Sequence, residues 1–213
     1  MSSLQNLILD LIKSDVALEI KNIMDKYISK CSTFLEFGSR GAFSGIIALG
    51  ALDLGRNKSS FRPRFVCIDL MHDDSITKME QLAKMHSISF QFWKGHSSQY
   101  PIHETDGIFW DCFHSGGALF EDLNHNAPYI NKYILIMGVG MFGDKSEAVV
   151  NGMDINAVAR ELHVDADSAK MGMKAGIEKF LELNKDWKQI KVYKELCVLE
   201  RILPSDKTFF KDT

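Results

Sequence analysis

The chain has 213 residues, 46% of them apolar and 25% charged, with a formal net charge of −3 and a pI near 6.2. That is a globular composition with enough chain to bury a core, read as one domain with at most an appended subdomain. So slight an acidity supplies no global basic field for nucleic acid or an anionic membrane, and neither is expected as a partner. No apolar run approaches the roughly 20 residues that span a bilayer. The stretch from Met1 to Asp15 lacks the basic region and small-residue cleavage site of a secretion signal. Cys31, Cys67, Cys112 and Cys197 are far apart, with no CxxC pair. That argues against a zinc ribbon or a disulfide framework and fits a reducing cytoplasm.

In chain order, the first 30 residues read as two helices. Leu4, Leu7, Ile8, Leu11 and Ile12 share one helical face, Ser14 stands as an N-cap, and Val16, Ile20, Ile23, Met24 and Tyr27 form the second stripe. Such a prelude either covers a ligand cleft or packs on the body, and packing is the commoner outcome. A strand follows over 33–37, then a glycine-rich turn and an apolar helix over 46–54. Next come a strand over 64–70, a helix over 74–86, and strands over 88–93 and 106–111. A helix over 117–127 and a strand over 133–139 complete this part. Helical periodicity returns over 154–183 with a break near 163–165, and strands over 189–193 and 196–202 close the chain. Strands alternating with helices predict an α/β fold, a mostly parallel central sheet with helices on both faces, ending in an antiparallel hairpin. The organisation expected is N-terminal helices over 1–30, an α/β domain over 31–203 with a helical insertion at about 143–170, and a tail over 204–213.

The turn Gly38-Ser39-Arg40-Gly41-Ala42-Phe43-Ser44-Gly45 lies between a strand and a helix, where glycines let the backbone bend and a ligand approach it. Its spacing is not the G-x-G-x-x-G of dinucleotide sites, nor does it end in the G-K-[ST] of a P-loop. Glu36, just before it, would repel a diphosphate and suits a ligand that is cationic or donates hydrogen bonds. Asp69 ends the second strand, where a carboxylate can accept both hydroxyls of a ribose diol; its plainer role would be to cap the next helix.

These residues resemble a known family. Phe34-Leu35-Glu36-Phe37-Gly38-Ser39-Arg40-Gly41 is similar to the first motif of the class I S-adenosylmethionine-dependent methyltransferases, and Phe65-Val66-Cys67-Ile68-Asp69 to their acidic second motif. The stretch from Asp106 through Asp111 to His114 resembles the D-x-x-x-x-D-x-x-H of a small-molecule O-methyltransferase subgroup, the cephalosporin-hydroxylase-like and macrolide-sugar enzymes. Residues 175–181, Asp186-Trp187 and Val198-Leu199-Glu200-Arg201 resemble its tail. The likeness covers roughly residues 30–202. It implies a Rossmann-like class I methyltransferase fold, S-adenosylmethionine as cofactor, and methylation of a small polar acceptor, a sugar or sugar nucleotide. It places Glu36, Gly38, Ser39 and Arg40 at the cofactor, the methionine end above all. Ser44 would hold the amino-acid carboxylate at a helix start, Asp69 the ribose, and Gly95, His96 and Ser97 would lie near the adenine. Phe92 and Trp93 offer an apolar wall or, more commonly at strand positions, core.

Methyl transfer to an alcohol needs a general base or a metal to take the proton. Asp111 and His114 follow the fourth strand, at the carboxyl edge where α/β sheets bind ligands. His114 is the candidate base; Asp111 would orient it or bind a divalent cation such as Mg²⁺. Their plainer roles are a helix cap and a solvated loop residue. Two departures from the pattern stand out. After the fifth strand the relatives carry His-Asp, whereas this chain has Met137-Gly138-Val139, leaving Asp144 or Asp122 to supply further metal oxygens. Ser115-Gly116-Gly117 stands where an aromatic residue is frequent, which suggests a larger or different acceptor. The charged stretch over 143–168, with Asp144, Glu147, His163 and Asp165, reads as a lid over the acceptor, a homodimer contact or a solvated surface. The methionines around it read as core filling or as an adaptable pocket lining. Three functions remain open: an active O-methyltransferase, a cofactor-binding scaffold or partner subunit without activity, and a nucleotide- or NAD-binding protein that reuses the sheet.

Overall fold

The computed structural model describes residues 3–39, 43–56 and 62–202. Helix α1 spans Ser3–Leu11 and α2 Asp15–Ile28, and the Ser14 hydroxyl accepts the Ala17 N–H at 3.2 Å to start α2. A cap of that kind stabilises a helix by about 1 kcal/mol. Leu4 and Ile8 are buried with Ile47 and Leu49 of α3 (Phe43–Arg56), so the N-terminal stripes pack on the body and do not cover a cleft.

Five strands run parallel: β1 (Thr33–Phe37), β2 (Arg64–Asp69), β3 (Ser89–Lys94), β4 (Thr105–Trp110) and β5 (Ile130–Ile136). β6 (Trp187–Tyr193) and β7 (Leu196–Arg201) form the expected antiparallel hairpin, with β7 inserted beside β5. The order is β3-β2-β1-β4-β5-β7-β6. The period-2 alternation of the strands sorts their side chains into two cores. Phe34, Phe65, Cys67, Phe109 and Leu135 face α1, α2, α3 and α4 (Asp74–Met85). Leu35, Val66, Ile108, Trp110 and Ile134 face α5 (Gly116–Asn126) and α9 (Met173–Leu183).

Several element bounds shift: α3 begins at Phe43 and β6 at Trp187, each earlier than read, and two differences change the layout more. The fifth strand begins three residues earlier than read, at Ile130, because a short turn over 127–129 holding Pro128 feeds it, and it ends at Ile136, before Gly138 turns to φ +82°. The helical stretch over 154–183 is three helices: α7 (Ile155–Leu162), α8 (Ala166–Lys170) and α9. The first break is the expected one, where His163 adopts the left-handed conformation at φ 56°. The second, at Met171-Gly172, was not foreseen. With α6 (Glu147–Val150), α7 and α8 bury a small satellite core of Ala148, Val158, Ala159 and Ala169.

Candidate functional site

The strand order reverses between β1 and β4, where open α/β sheets bind ligands beyond their carboxyl ends. The Asp111 N–H donates to Phe37 O at 2.8 Å and the Gly38 N–H to Ile68 O at 2.9 Å, joining the ends of three strands. Gly38 sits at φ +80°, and a Cβ there would lie 2.2 Å from the Asp111 carbonyl oxygen, so both its conformation and its neighbour require glycine. Asp69 Oδ2 accepts the Ser39 N–H at 2.7 Å and the Ser39 hydroxyl at 3.3 Å, and its Oδ1 accepts the Met71 N–H at 3.0 Å. A carboxylate offers about four acceptor positions, so one remains on Oδ1. Asp69 does not cap α4; Asp73 does.

A cleft of about 770 Å³ opens over this edge, lined by Gly38, Asp69, Gly95, His96, Ser97 and Asp111, among others. Ser97 donates to Asp122 Oδ2 at 2.7 Å, and the Trp110 indole N–H donates to the same oxygen at 2.9 Å. Burial of Asp122 pushes its carboxyl above the ordinary range. Glu36 and Ser44 do not line this cleft. Glu36 is fully buried between the sheet and α3, and its Oε1 accepts the Ser44 hydroxyl at 2.5 Å. Ser44 is therefore committed within the protein. Ser39 is 2% exposed and acts through Asp69. Burial pushes the Glu36 carboxyl up to about 8, so it is largely protonated at neutral pH and repels no diphosphate. The case against a dinucleotide then rests on the glycine spacing. Arg40 lies outside the described residues, and Phe92 and Trp93 pack against the two cores.

Past β4, the His114 imidazole is held between two carboxylates. Its Nδ1 is 3.0 Å from Glu147 Oε2 and its Nε2 is 3.4 Å from Asp111 Oδ1. Phe142 stacks on the ring at 4.7 Å. Nε2 is buried without a hydrogen-bond partner, so Asp111 acts on the ring as a nearby charge. Burial disfavours the charged ring, but the Nδ1 hydrogen bond to Glu147 and the charges of Asp111 and Glu147 outweigh it and hold the His114 pKa above the ordinary imidazole value. The cap of α5 is Ser115, so Asp111 is free of that plainer role. Glu147 is the partner that sequence reasoning did not single out. It was legible only as one acid in a charged stretch, because its contact with His114 spans 33 residues. Three hydrogen bonds tie it there: the two to its carboxylate, from His114 N–H and Nδ1, and its own N–H to His114 O at 2.8 Å.

The glycines at both departures from the resembled pattern leave no room for a side chain. A Cβ on Gly138 would lie 1.9 Å from His114 Cδ2, so the imidazole fills the place where a side chain at that position would project. Cβ atoms on Gly116 and Gly117 would meet Gly172 O at 2.1 Å and Ser168 at 2.5 Å. These glycines let the segment over 168–172 close onto α5, so no extra room opens for a larger acceptor. The opposite wall of the cleft comes from the charged stretch over 143–168, with Glu147, Val158, Glu161, His163 and Asp165 among its residues. His163 meets His96 edge-on across the cleft at 6.0 Å. Asp144 is at the surface with Lys174 (2.9 Å), and neither Met141 nor Met153 lines the cleft.

A divalent cation does not fit these residues. The imidazole stands between Asp111 and Glu147, Asp122 is bound to Ser97 and Trp110, and no group of three or more His, Cys, Asp or Glu among the described residues could hold a metal ion. S-adenosylmethionine does fit. Asp69 keeps an acceptor position for a diol, and the cleft volume lies in the range of about 300–1,000 Å³ typical of small-molecule sites. No helix among the described residues is long and apolar enough to cross a membrane.

The chain matches no protein-family model and no curated protein. Solved structures do match. One is an O-methyltransferase from Bacillus cereus in complex with SAH, 14% identical with a TM-score of 0.54, covering 94% of this chain and 91% of that one. Another is an SAH-bound methyltransferase from Podospora anserina, 12% identical with a TM-score of 0.50, covering 89% of this chain and 88% of that one. An N-methyltransferase from Bradyrhizobium japonicum is 11% identical with a TM-score of 0.50, covering 89% of this chain and 99% of its own. The fold is that of the class I methyltransferases. At such identities the likeness concerns the sheet and its helices, and the site has to be argued from its own residues.

Proposed function

We propose that this protein transfers a methyl group from S-adenosylmethionine to an oxygen of a small polar, sugar-like acceptor. The observation that carries the reading is the Asp111–His114 pair at the switch point of a methyltransferase sheet, with Asp69 at the end of β2. When bound, the cofactor supplies a methyl group activated by a sulfonium for in-line displacement. Of the residues that line the cleft, Asp69 would accept from its ribose diol, Gly38 would leave the main chain bare against it, and Gly95, His96 and Ser97 would hold its adenine end.

Asp111 and His114 act as one proton-accepting pair for the hydroxyl. Asp111 is the more open of the two, with 30% of its side chain exposed against 16% for His114. Glu147 holds the ring through Nδ1 and turns Nε2 toward Asp111. The reading needs no metal. His114 fills the space where a side chain at position 138 would project, which supports a reading in which that position supplies no metal ligand.

Calorimetric titration of ligand-stripped protein with S-adenosylhomocysteine tests the cofactor half. Micromolar affinity, unchanged by Mg²⁺, is expected; no binding at millimolar ligand would sink the reading. His114→Ala should then lower turnover about 10²–10⁴-fold, the usual worth of a general base, and leave that affinity intact.

A further inference from the structure

Among the described residues the cleft is one-sided in charge. Seven carboxylates line it, among them Asp111, Glu121, Glu147 and Glu161, together with three histidines, and no lysine or arginine among the described residues. Most of these acids are already committed. Asp69 holds the glycine-rich turn, Asp122 takes Ser97 and Trp110, and Asp165 caps α8. Asp111 and Glu147 share the His114 ring; with the ring protonated the three carry one net negative charge, enough to balance one sulfonium.

Glu121 and Glu161 are different. Both are exposed, and neither has a hydrogen-bond or ion-pair partner among the described residues. Glu121 comes from α5 and Glu161 from α7, so they enter the cleft from its two walls. Two carboxylates left uncompensated around one cleft raise the local concentration of cations and repel anions, the more so where low-dielectric walls focus the field. A metal ion is a poor candidate for that cation, given the absence of a ligand cluster among the described residues.

We infer that the acceptor carries a protonated amine, drawn by the carboxylates of the cleft with Glu121 and Glu161 as the two left uncompensated, while the Asp111–His114 pair handles the reacting atom. The inference rests on the methyltransferase reading and narrows its acceptor. A sugar nucleotide, with its diphosphate, has the wrong charge for this cleft; an amino sugar or a hydroxylated amine has the right one.

The test uses the full chain saturated with S-adenosylhomocysteine, whose own binding first establishes the cofactor reading. Matched probes are then titrated calorimetrically: tyramine against neutral tyrosol and anionic 4-hydroxyphenylacetate, and glucosamine against glucose and glucose 1-phosphate. In at least one set the amine should bind about tenfold or more tightly than its neutral partner, the anion should bind most weakly, and added salt should erode the preference, as for screened charges. The double variant Glu121→Gln with Glu161→Gln, its melting temperature confirming the fold, should lose most of it. The inference is overturned if the homocysteine product binds but no amine is preferred over its neutral counterpart, or if the double variant keeps the preference. Failure of S-adenosylhomocysteine to bind at all would instead overturn the methyltransferase reading beneath it.

Discussion

The two walls of the cleft are built on opposite principles. The floor is the carboxyl edge of a buried parallel sheet, where Gly38, Asp69 and Asp111 are fixed by main-chain bonds from neighbouring strands and Trp110 and Phe37 are fully buried behind them. The roof is three short helices, α6, α7 and α8, each started by its own side-chain cap from Ser146, Asp154 and Asp165 and sharing a core of only four buried residues. A wall of the first kind tolerates little change. One of the second kind opens at low cost, because few apolar contacts and several solvent-exposed caps hold it. The contrast suits a rigid cofactor site beneath an adjustable acceptor site.

Two glycines with left-handed backbone should separate the walls most sharply. Gly38→Ala meets backbone on the floor, and should cost about 3 kcal/mol and abolish S-adenosylhomocysteine binding. Gly152→Ala, at φ +64° with nothing within 4 Å, should cost only about 1 kcal/mol and leave that binding alone. Denaturant melts and calorimetry read both, and equal losses would break the comparison.

The next effect comes from pH. Burial pushes the Glu36 carboxyl from its ordinary 4.5 up to about 8, so the native state holds its proton more tightly than the unfolded chain. Its contribution to stability is full below about 4.5 and is lost as pH rises through about 8. Glu36→Gln keeps the shape and a partner for Ser44 and cannot ionise. Its melting temperature should therefore fall less than the parent's between pH 5 and 8.5, and parallel curves would refute the assignment. His114, with its pKa held above the ordinary imidazole value, acts in the same direction: its stabilisation is present at low pH and is lost as pH rises through the folded value. Turnover should rise as pH passes upward through that folded value and the pair gives up its proton, and Glu147→Gln should move the rise to lower pH.

The smallest effect belongs to the roof. Ser146→Ala removes the cap that starts α6, and should cost about 1 kcal/mol. Because Glu147 is the next residue, acceptor KM should rise while S-adenosylhomocysteine affinity stays the same. Loss of cofactor affinity in this variant would mean that the roof is part of the floor's cooperative unit.

The strands and most helices were legible because their signal is local: β1 over 33–37 alternates between the two cores residue by residue, and Ser14 caps the helix it precedes. The fifth strand was misplaced because its apolar run continues past Ile136 through Met137 and Val139, and hydrophobicity does not mark where pairing stops. Gly38, Asp69, Asp111 and His114, named from the sequence, do line the cleft, since each stands at or within a few residues of a strand end. Glu36 and Ser44 could not be placed, because strand parity sends Glu36 away from the cleft and the partner that occupies Ser44 is revealed only when α3 packs on β1.

The sequence by itself determined the alternating architecture, the closing hairpin, the glycine turn and the acids that end the strands, since these follow from patterns a few residues long. Only the tertiary structure decided that His114 fills the space over Gly138, that Glu147 reaches back to hold its ring, and that Glu121 and Glu161 share the cleft without partners among the described residues. Those facts depend on distances between segments far apart in the chain, which are fixed when the sheet, α5 and the capped roof helices pack together.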